Sequence, residues 1–293
     1  MARGIDHVVH AVADLDAVAA LYRSLGFQVG ARNRHPPAWG TQNHIVQLPG
    51  CFVELLAVAD AAHIAPHGPR HFSFGAFNRD ALRRGQGLSM LVLDSREATG
   101  DARTFREAGI GDFNVFDFER EARRPDGGTV KVAFSLAFAS DPLAPGIGFF
   151  TCRQHFPENF WNPAFQLHAN AATAIAGVVI VAARPSGHRA FLAAFTGERE
   201  VAGTPGGILV QTARGEIEVL EPAAFQDRFG QAPPDTARGA RLAALRFAVG
   251  DPAVTAAVLH ASGVPAFNRN ETLIIGPQAA MGATLVFEPV RTA

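Results

Sequence analysis

The sequence predicts an α+β protein built from four copies of one unit, strand–helix–strand–strand–strand, arranged in two related halves. Three observations predict it. Short β-branched apolar runs recur along the chain, as strands require. The opening run of a copy leads into a segment with helix-start or helical-spacing signals. Two or three further strand-like runs then follow before the next copy begins. A fixed order met four times in 293 residues marks an architecture assembled from repeats.

The first copy opens with the strand "IDHVVHAV". Asp14 follows it and can accept the first free N–H groups of a helix. Val18, Leu21, Tyr22 and Leu25 then recur at i, i+3, i+4 and i+7, one apolar face, and Gly26 can take the left-handed conformation that ends a helix. "HIVQL" and "CFVELLAV" are strands joined at Pro49-Gly50, a natural turn pair. In the second copy "GLSMLVLD" leads through Ser95 to "REATGDARTFREAG", then to "FNVFDFE", "TVKVAFSLAFA" and "GIGFFTC". The third runs "AIAGVVIVA", "RPSGHRAFLAAFTG", "GGILVQT", "EIEVLEP". The fourth opens with "RLAALRFAV" and Asp251-Pro252, a cap followed by proline at the first helical position; its helix ends near Gly263, before "ETLIIG" and "ATLVFEPV". "RRPDGG" and "FGQAPPDTARG" read as ordinary loops.

The halves divide at residues 1–160 and 161–293, around "CRQHFPENFWNPAFQLHANAATA". Its ring residues, prolines and asparagines suit a structured crossover packed on both halves better than a floppy linker. Hydrophobic residues at 48% can fill a sizeable core, and a net charge of −1 with no basic tract gives nucleic acid no electrostatic foothold. No apolar run approaches the roughly 18–20 residues a membrane span needs, and the N-terminus lacks a secretory pattern, so a cytoplasmic location is expected. Cys51 and Cys152 form no CxxC pair; each sits beside aromatic residues in a strand and reads as a buried structural thiol. There is no GxGxxG, P-loop, GxSxG or HExxH motif.

Four such units, headed by "DHVVHAVADLDAVAALYRSLGF", resemble the vicinal oxygen chelate superfamily of glyoxalases, extradiol dioxygenases, epimerases and antibiotic-resistance proteins. More narrowly, "HPPAWGTQNHIVQLPGCFVELLAV" and "HFPENFWNPAFQLHANAA" resemble segments of glyoxalase-like domain proteins. The resemblance implies paired units curled into half-open barrels, with the site in the concave face and metal ligands on the first and last strands of paired units. It places His7 and Glu54 at these positions in the first unit. In the second unit they fall on Met90 or Ser89 and near Thr151, poor ligands for a hard divalent ion. In the second half they fall near Gly177 and Ala244, with Glu218 and Glu288 on the last strands.

Strand alternation puts Glu54 on a face with Phe52 and Leu56, where a carboxylate is costly without a partner. His7 and Glu54 are therefore the candidate catalytic or metal-binding pair. His155, with His7 and Glu54, would complete two histidines and a carboxylate suited to Fe, Mn, Ni or Zn; a site with no metal is the alternative. Trp161, His168 and Asn170 in the crossover, and Trp39, Thr41 and Asn43 in a lip that also holds His35, are candidate substrate contacts. For the crossover residues the alternative is a purely structural role. His63, His67 and His71 are interrupted by Pro66 and Pro69 and read as an exposed loop; Glu216, Glu218 and Glu221 read as a vestigial duplicate.

The expected function is a small-molecule enzyme with lyase, isomerase or ring-cleavage chemistry on a substrate with adjacent oxygens. Metal-free sequestration of an apolar or aromatic compound is the alternative. A third is an inactive scaffold whose duplicated halves form a homodimer surface. Neither nucleic acid nor membrane is an expected partner.

Overall fold

The structure, a computed structural model, describes residues 2–123 and 127–290, so Arg124, Pro125 and Asp126 of the RRPDGG loop lie outside the described residues. The first unit comprises β1 (Ile5–Ala11), α1 (Leu15–Ser24), β2 (Asn33–Arg34), β3 (Thr41–Leu48) and β4 (Cys51–Val58). A connecting helix α2 (Phe74–Arg84) precedes the second unit, formed by β5 (Gly87–Asp94), α3 (Ala98–Glu107), β6 (Phe116–Arg123), β7 (Thr129–Ala139) and β8 (Gly148–Gln154). The crossover carries the short helix α4 (Pro157–Phe160). The third unit is β9 (Ala172–Val181), α5 (Arg189–Thr196), β10 (Ala202–Thr204), β11 (Gly207–Gln211) and β12 (Glu216–Leu220). After α6 (Pro222–Phe229), the fourth is β13 (Arg241–Val249), α7 (Pro252–Ala261), β14 (Ala266–Arg269), β15 (Thr272–Ile275) and β16 (Thr284–Pro289).

The two eight-stranded sheets have the same order, β2-β3-β4-β1-β5-β8-β7-β6 and β10-β11-β12-β9-β13-β16-β15-β14. In each, the two first strands pair antiparallel at the centre and each last strand lies parallel to its own first strand. The expected α+β architecture of four βαβββ units is thus present. Helices α2 and α6 are additions to it. Ser73 caps α2 through Ala76 N–H, and Gly75 lies so close to the Trp39 carbonyl that a Cβ there would stand 2.0 Å from the oxygen.

Strand alternation sorts the side chains onto two faces. Val8, Val53, Leu91 and Phe149 join Val178, Leu245 and Phe287 of the other sheet in one shared core, together with Val18, Phe105, Phe195 and Leu259 of α1, α3, α5 and α7. The opposite faces hold separate clusters, one in each half. Capping follows the sequence: Asp14 Oδ1 accepts from Asp16 and Ala17 N–H at 2.9 and 3.0 Å, and Gly26, with φ of 85°, turns the chain after α1.

His10 shows how a polar group enters the shared core. Its Nε2–H donates to the Met281 carbonyl and Nδ1 accepts from the Tyr22 hydroxyl, both at 3.1 Å, so the neutral ring is fully satisfied. Burial lowers its pKa to about 4. Since the unfolded chain takes up this proton near pH 6.5 and the folded chain only near 4, stability contributed by neutral His10 is complete above 6.5. It is lost as pH falls from 6.5 to 4, by about 3 kcal/mol for one group. Urea titrations of wild type and His10→Gln at pH 7 and pH 4.5 check this; a wild-type loss no steeper than the variant's contradicts it.

Candidate active site

The inner face of the first sheet holds a narrow, half-open cavity. The sheet curls until side chains of its two ends meet: Trp39, after β2, lies 5.1 Å from the rings of both Phe116 and Phe118 on the edge strand β6. Phe52, Phe74, Phe118, Phe134, Phe150 and Phe160 line the wall, and His7, His35, Asn43 and Glu54 gather at one place on it.

That place is built by β1, β3 and β4. A bulge in the β1–β5 pairing lies between Ile5 and His7, and Asp6 there bonds the ring of its own neighbour. His7 Nδ1 is 2.5 Å from Asp6 Oδ1, while Asp6 Oδ2 accepts from Gln154 Nε2 at 3.1 Å. With Nδ1–H given to Asp6, His7 turns Nε2 toward Glu54, whose Oε2 stands 3.9 Å away. The imidazole stacks on Phe52 at 4.2 Å, which fixes its plane. Glu54 Oε1 accepts from Asn43 Nδ2 at 2.6 Å and lies 3.3 Å from His35 Nε2. His35 is oriented by Thr41, with its Nδ1 2.8 Å from the hydroxyl, and burial holds its pKa below the usual histidine value. His7 and Glu54 are each 5% exposed.

The structure therefore brings together His7, Glu54, Asn43, Thr41 and Trp39. His155 does not join them. Its Nε2 bonds Ser135 Oγ at 2.7 Å, and Ser135 in turn bonds Asp117, on the far side of β7. The reason is alternation: Phe134 points into the cavity, so Ser135 and its partner must face out. His168 and Asn170 are also elsewhere. His168 accepts from Gln28 N–H and donates to the Gln47 carbonyl, and Asn170 bonds Leu25 O and Ala172 N–H; both tie the crossover to the body. Trp161 stands at the outer mouth, 6.1 Å from Phe52. Sequence reasoning placed His35 only in a lip and did not single out Asp6 or Arg120. The alternation of "FDFERE" was a usable signal for Arg120, since Phe116, Phe118 and Arg120 share one face.

Do these groups fit the metal that the resemblance implied? Strand register locates the second unit's counterparts. Val9 pairs with Glu54, Val179 with Glu218 and Ala248 with Glu288, each two residues from His7, Gly177 and Arg246. Gly177 faces Arg246 across the central pair as His7 faces Val92. The counterparts are thus Val92 and Cys152 rather than Met90 and Thr151, and Arg246 rather than Ala244. Val92 offers no donor, and burial keeps the Cys152 thiol well above its usual pKa, hence protonated. Thr151 faces away and bonds Asp101. Among the described residues no group of three or more His, Cys, Asp and Glu is arranged to hold a metal ion. The residues present do not fit the implied ligand set.

The second half resolves the same geometry differently. Arg246 enters its inner face, donating Nε and Nη2 to the two oxygens of Glu288 at 3.0 and 2.7 Å and Nη1 to Glu216 at 2.9 Å. Glu218 is 3.7 Å from the same Nη1 and is also held by Arg228. These carboxylates raise the guanidinium pKa despite its burial. Phe225 and Phe229 of α6 pack in the same inner cluster.

Comparison with known proteins agrees with this architecture. The chain resembles an uncharacterised Staphylococcus aureus protein at 11% identity and a TM-score of 0.66, covering 98% of this chain and 100% of that one. It resembles a substituted 4-hydroxymandelate synthase from Streptomyces coelicolor at 14% and 0.57, covering 100% and 94%. A fusion of a xylose isomerase-like TIM barrel with 4-hydroxyphenylpyruvate dioxygenase matches at 10% and 0.54, covering 100% of this chain and 50% of that one. At these identities the likeness is one of fold. No curated protein sequence matches significantly. The family model described as glyoxalase-like domain matches residues 5–196, the whole first sheet and on through α5. With that match over most of its length, the chain belongs to the glyoxalase-like domain family, and its fold is the vicinal oxygen chelate fold.

Proposed function

We propose that the protein is a small-molecule enzyme of lyase or isomerase type. It would move a proton on an apolar or aromatic substrate with adjacent oxygens, bound in the first-half cavity. One observation carries this reading: His7 Nε2 and Glu54 Oε2 face each other at 3.9 Å, both buried, on the wall of an aromatic cavity. That gap is too long for a hydrogen bond and leaves room for a reacting hydrogen between two proton carriers. Asp6 fixes the His7 tautomer that presents a lone pair at Nε2. Asn43 holds Glu54 Oε1, so Oε2 is the oxygen left to take or return a proton. Phe52, Phe150 and Trp39 exclude water, which strengthens each polar contact with the substrate. No step is routed through a metal, because the donor set does not fit one.

The test is solvent-deuterium incorporation, followed by proton NMR, over a panel of aromatic α-hydroxy ketones and aldehydes. The expected result is protein-dependent exchange at the carbon next to the carbonyl, lost in His7→Ala. Exchange equally fast in His7→Ala removes the proposed role. The aromatic wall also favours a second reading, sequestration of such a compound; saturable binding with no exchange for any bound compound would select it.

A further inference from the structure

Among the described residues Arg120 is the one Arg or Lys on the wall of the first-half cavity, and it also lines the outer mouth beside Trp161, Phe160 and Gln47. On β6 it continues the inward series Phe116, Phe118, while Asp117, Glu119 and Glu121 point out and Glu119 is taken by Lys131. Among the described residues no carboxylate lies within ion-pair distance of Arg120. Its one hydrogen bond, at 3.4 Å, goes to the Glu121 carbonyl. Burial lowers its pKa, opposed only by the charge of Glu54 across the cavity. Elsewhere this chain pairs its buried guanidinium groups thoroughly: Arg3 bonds Asp101, and Arg246 bonds three carboxylate oxygens, one of Glu216 and two of Glu288. A half-buried guanidinium has five N–H donors in a planar fork that suits an anion, and only one weak bond engages them here.

We infer that Arg120 receives an anionic group of the substrate at the cavity mouth, so that the substrate is an acid with an apolar or aromatic body. The polarity of the cavity orders such a molecule. Its carboxylate meets Arg120, its body lies among Phe118, Phe134 and Phe160, and its oxygen-bearing carbon reaches His7 and Glu54. A reversed pose would set the anion against Glu54. This inference rests on the proposed reaction for its reacting end, but the recognition step is measurable without turnover.

Naphthalene-1-acetate and naphthalene-1-acetamide share shape and differ in charge, and their fluorescence reports binding to the intact protein. Wild type is expected to bind the acetate at least about tenfold more tightly than the amide, as a charge-assisted bidentate contact provides. Arg120→Gln should abolish that preference while keeping amide affinity, which also shows that the variant is folded; Arg120→Lys should restore part of it. Equal affinities in wild type overturn the inference and leave the proton-transfer reading standing. A preference that survives Arg120→Gln overturns it too. Failure to bind either compound overturns both the inference and the aromatic cavity as a substrate site.

Discussion

Replacing Arg246 with methionine is expected to destabilise the protein by about 3–5 kcal/mol, the cost of breaking a buried ion pair from one side. Arg246 is 1% exposed and bonds Glu216 and Glu288 while facing Glu218. Methionine fills a similar volume but takes the guanidinium away from both oxygens of buried Glu288. The expected reading is a lower urea midpoint at pH 7 with little change in the denaturant slope. Adding Glu288→Gln to Arg246→Met should recover part of the loss, because one uncompensated charge is gone. An unchanged midpoint in the single variant would contradict the view that this guanidinium neutralises the inner face of the second half.

Glu54→Gln is expected to lower kcat by about 10²–10⁴-fold on any substrate found by deuterium exchange, the usual contribution of a positioned acid or base. The side chain keeps its shape, and its carbonyl can still accept from Asn43 Nδ2, now 2.6 Å from Oε1. What disappears is the ability of Oε2 to carry a proton opposite His7 Nε2. Binding of naphthalene-1-acetamide should therefore change little, separating chemistry from recognition. A full rate in Glu54→Gln would leave His7 as the proton carrier and reduce Glu54 to a positioning group.

Much of the architecture was legible because local rules acted alone. Asp14 and Asp251 announced helix starts, Gly26 an end, and β-branched runs the strands. Helix α2 was harder, since it follows a histidine- and proline-rich loop and is held by contacts with Trp39 rather than by a strong sequence pattern. The site was legible only in part. Alternation along "CFVELLAV" placed Glu54 beside Phe52 on the inner face. His155 could not be excluded in that way, because whether a residue just beyond a strand faces in or out depends on the neighbouring strand. Here its partner Ser135 faces out.

The sequence by itself determined the repeated unit, its order and the family, since these follow from periodicity and punctuation along one chain. Tertiary structure alone decided which polar groups meet. His35 reaches Glu54 from before β3, Arg120 arrives from the opposite edge of the sheet, and Arg246 occupies the register position that the family resemblance put near Ala244. Such meetings depend on curvature and on pairing register between strands far apart in sequence, where a shift of one residue turns a side chain from the cavity to the core.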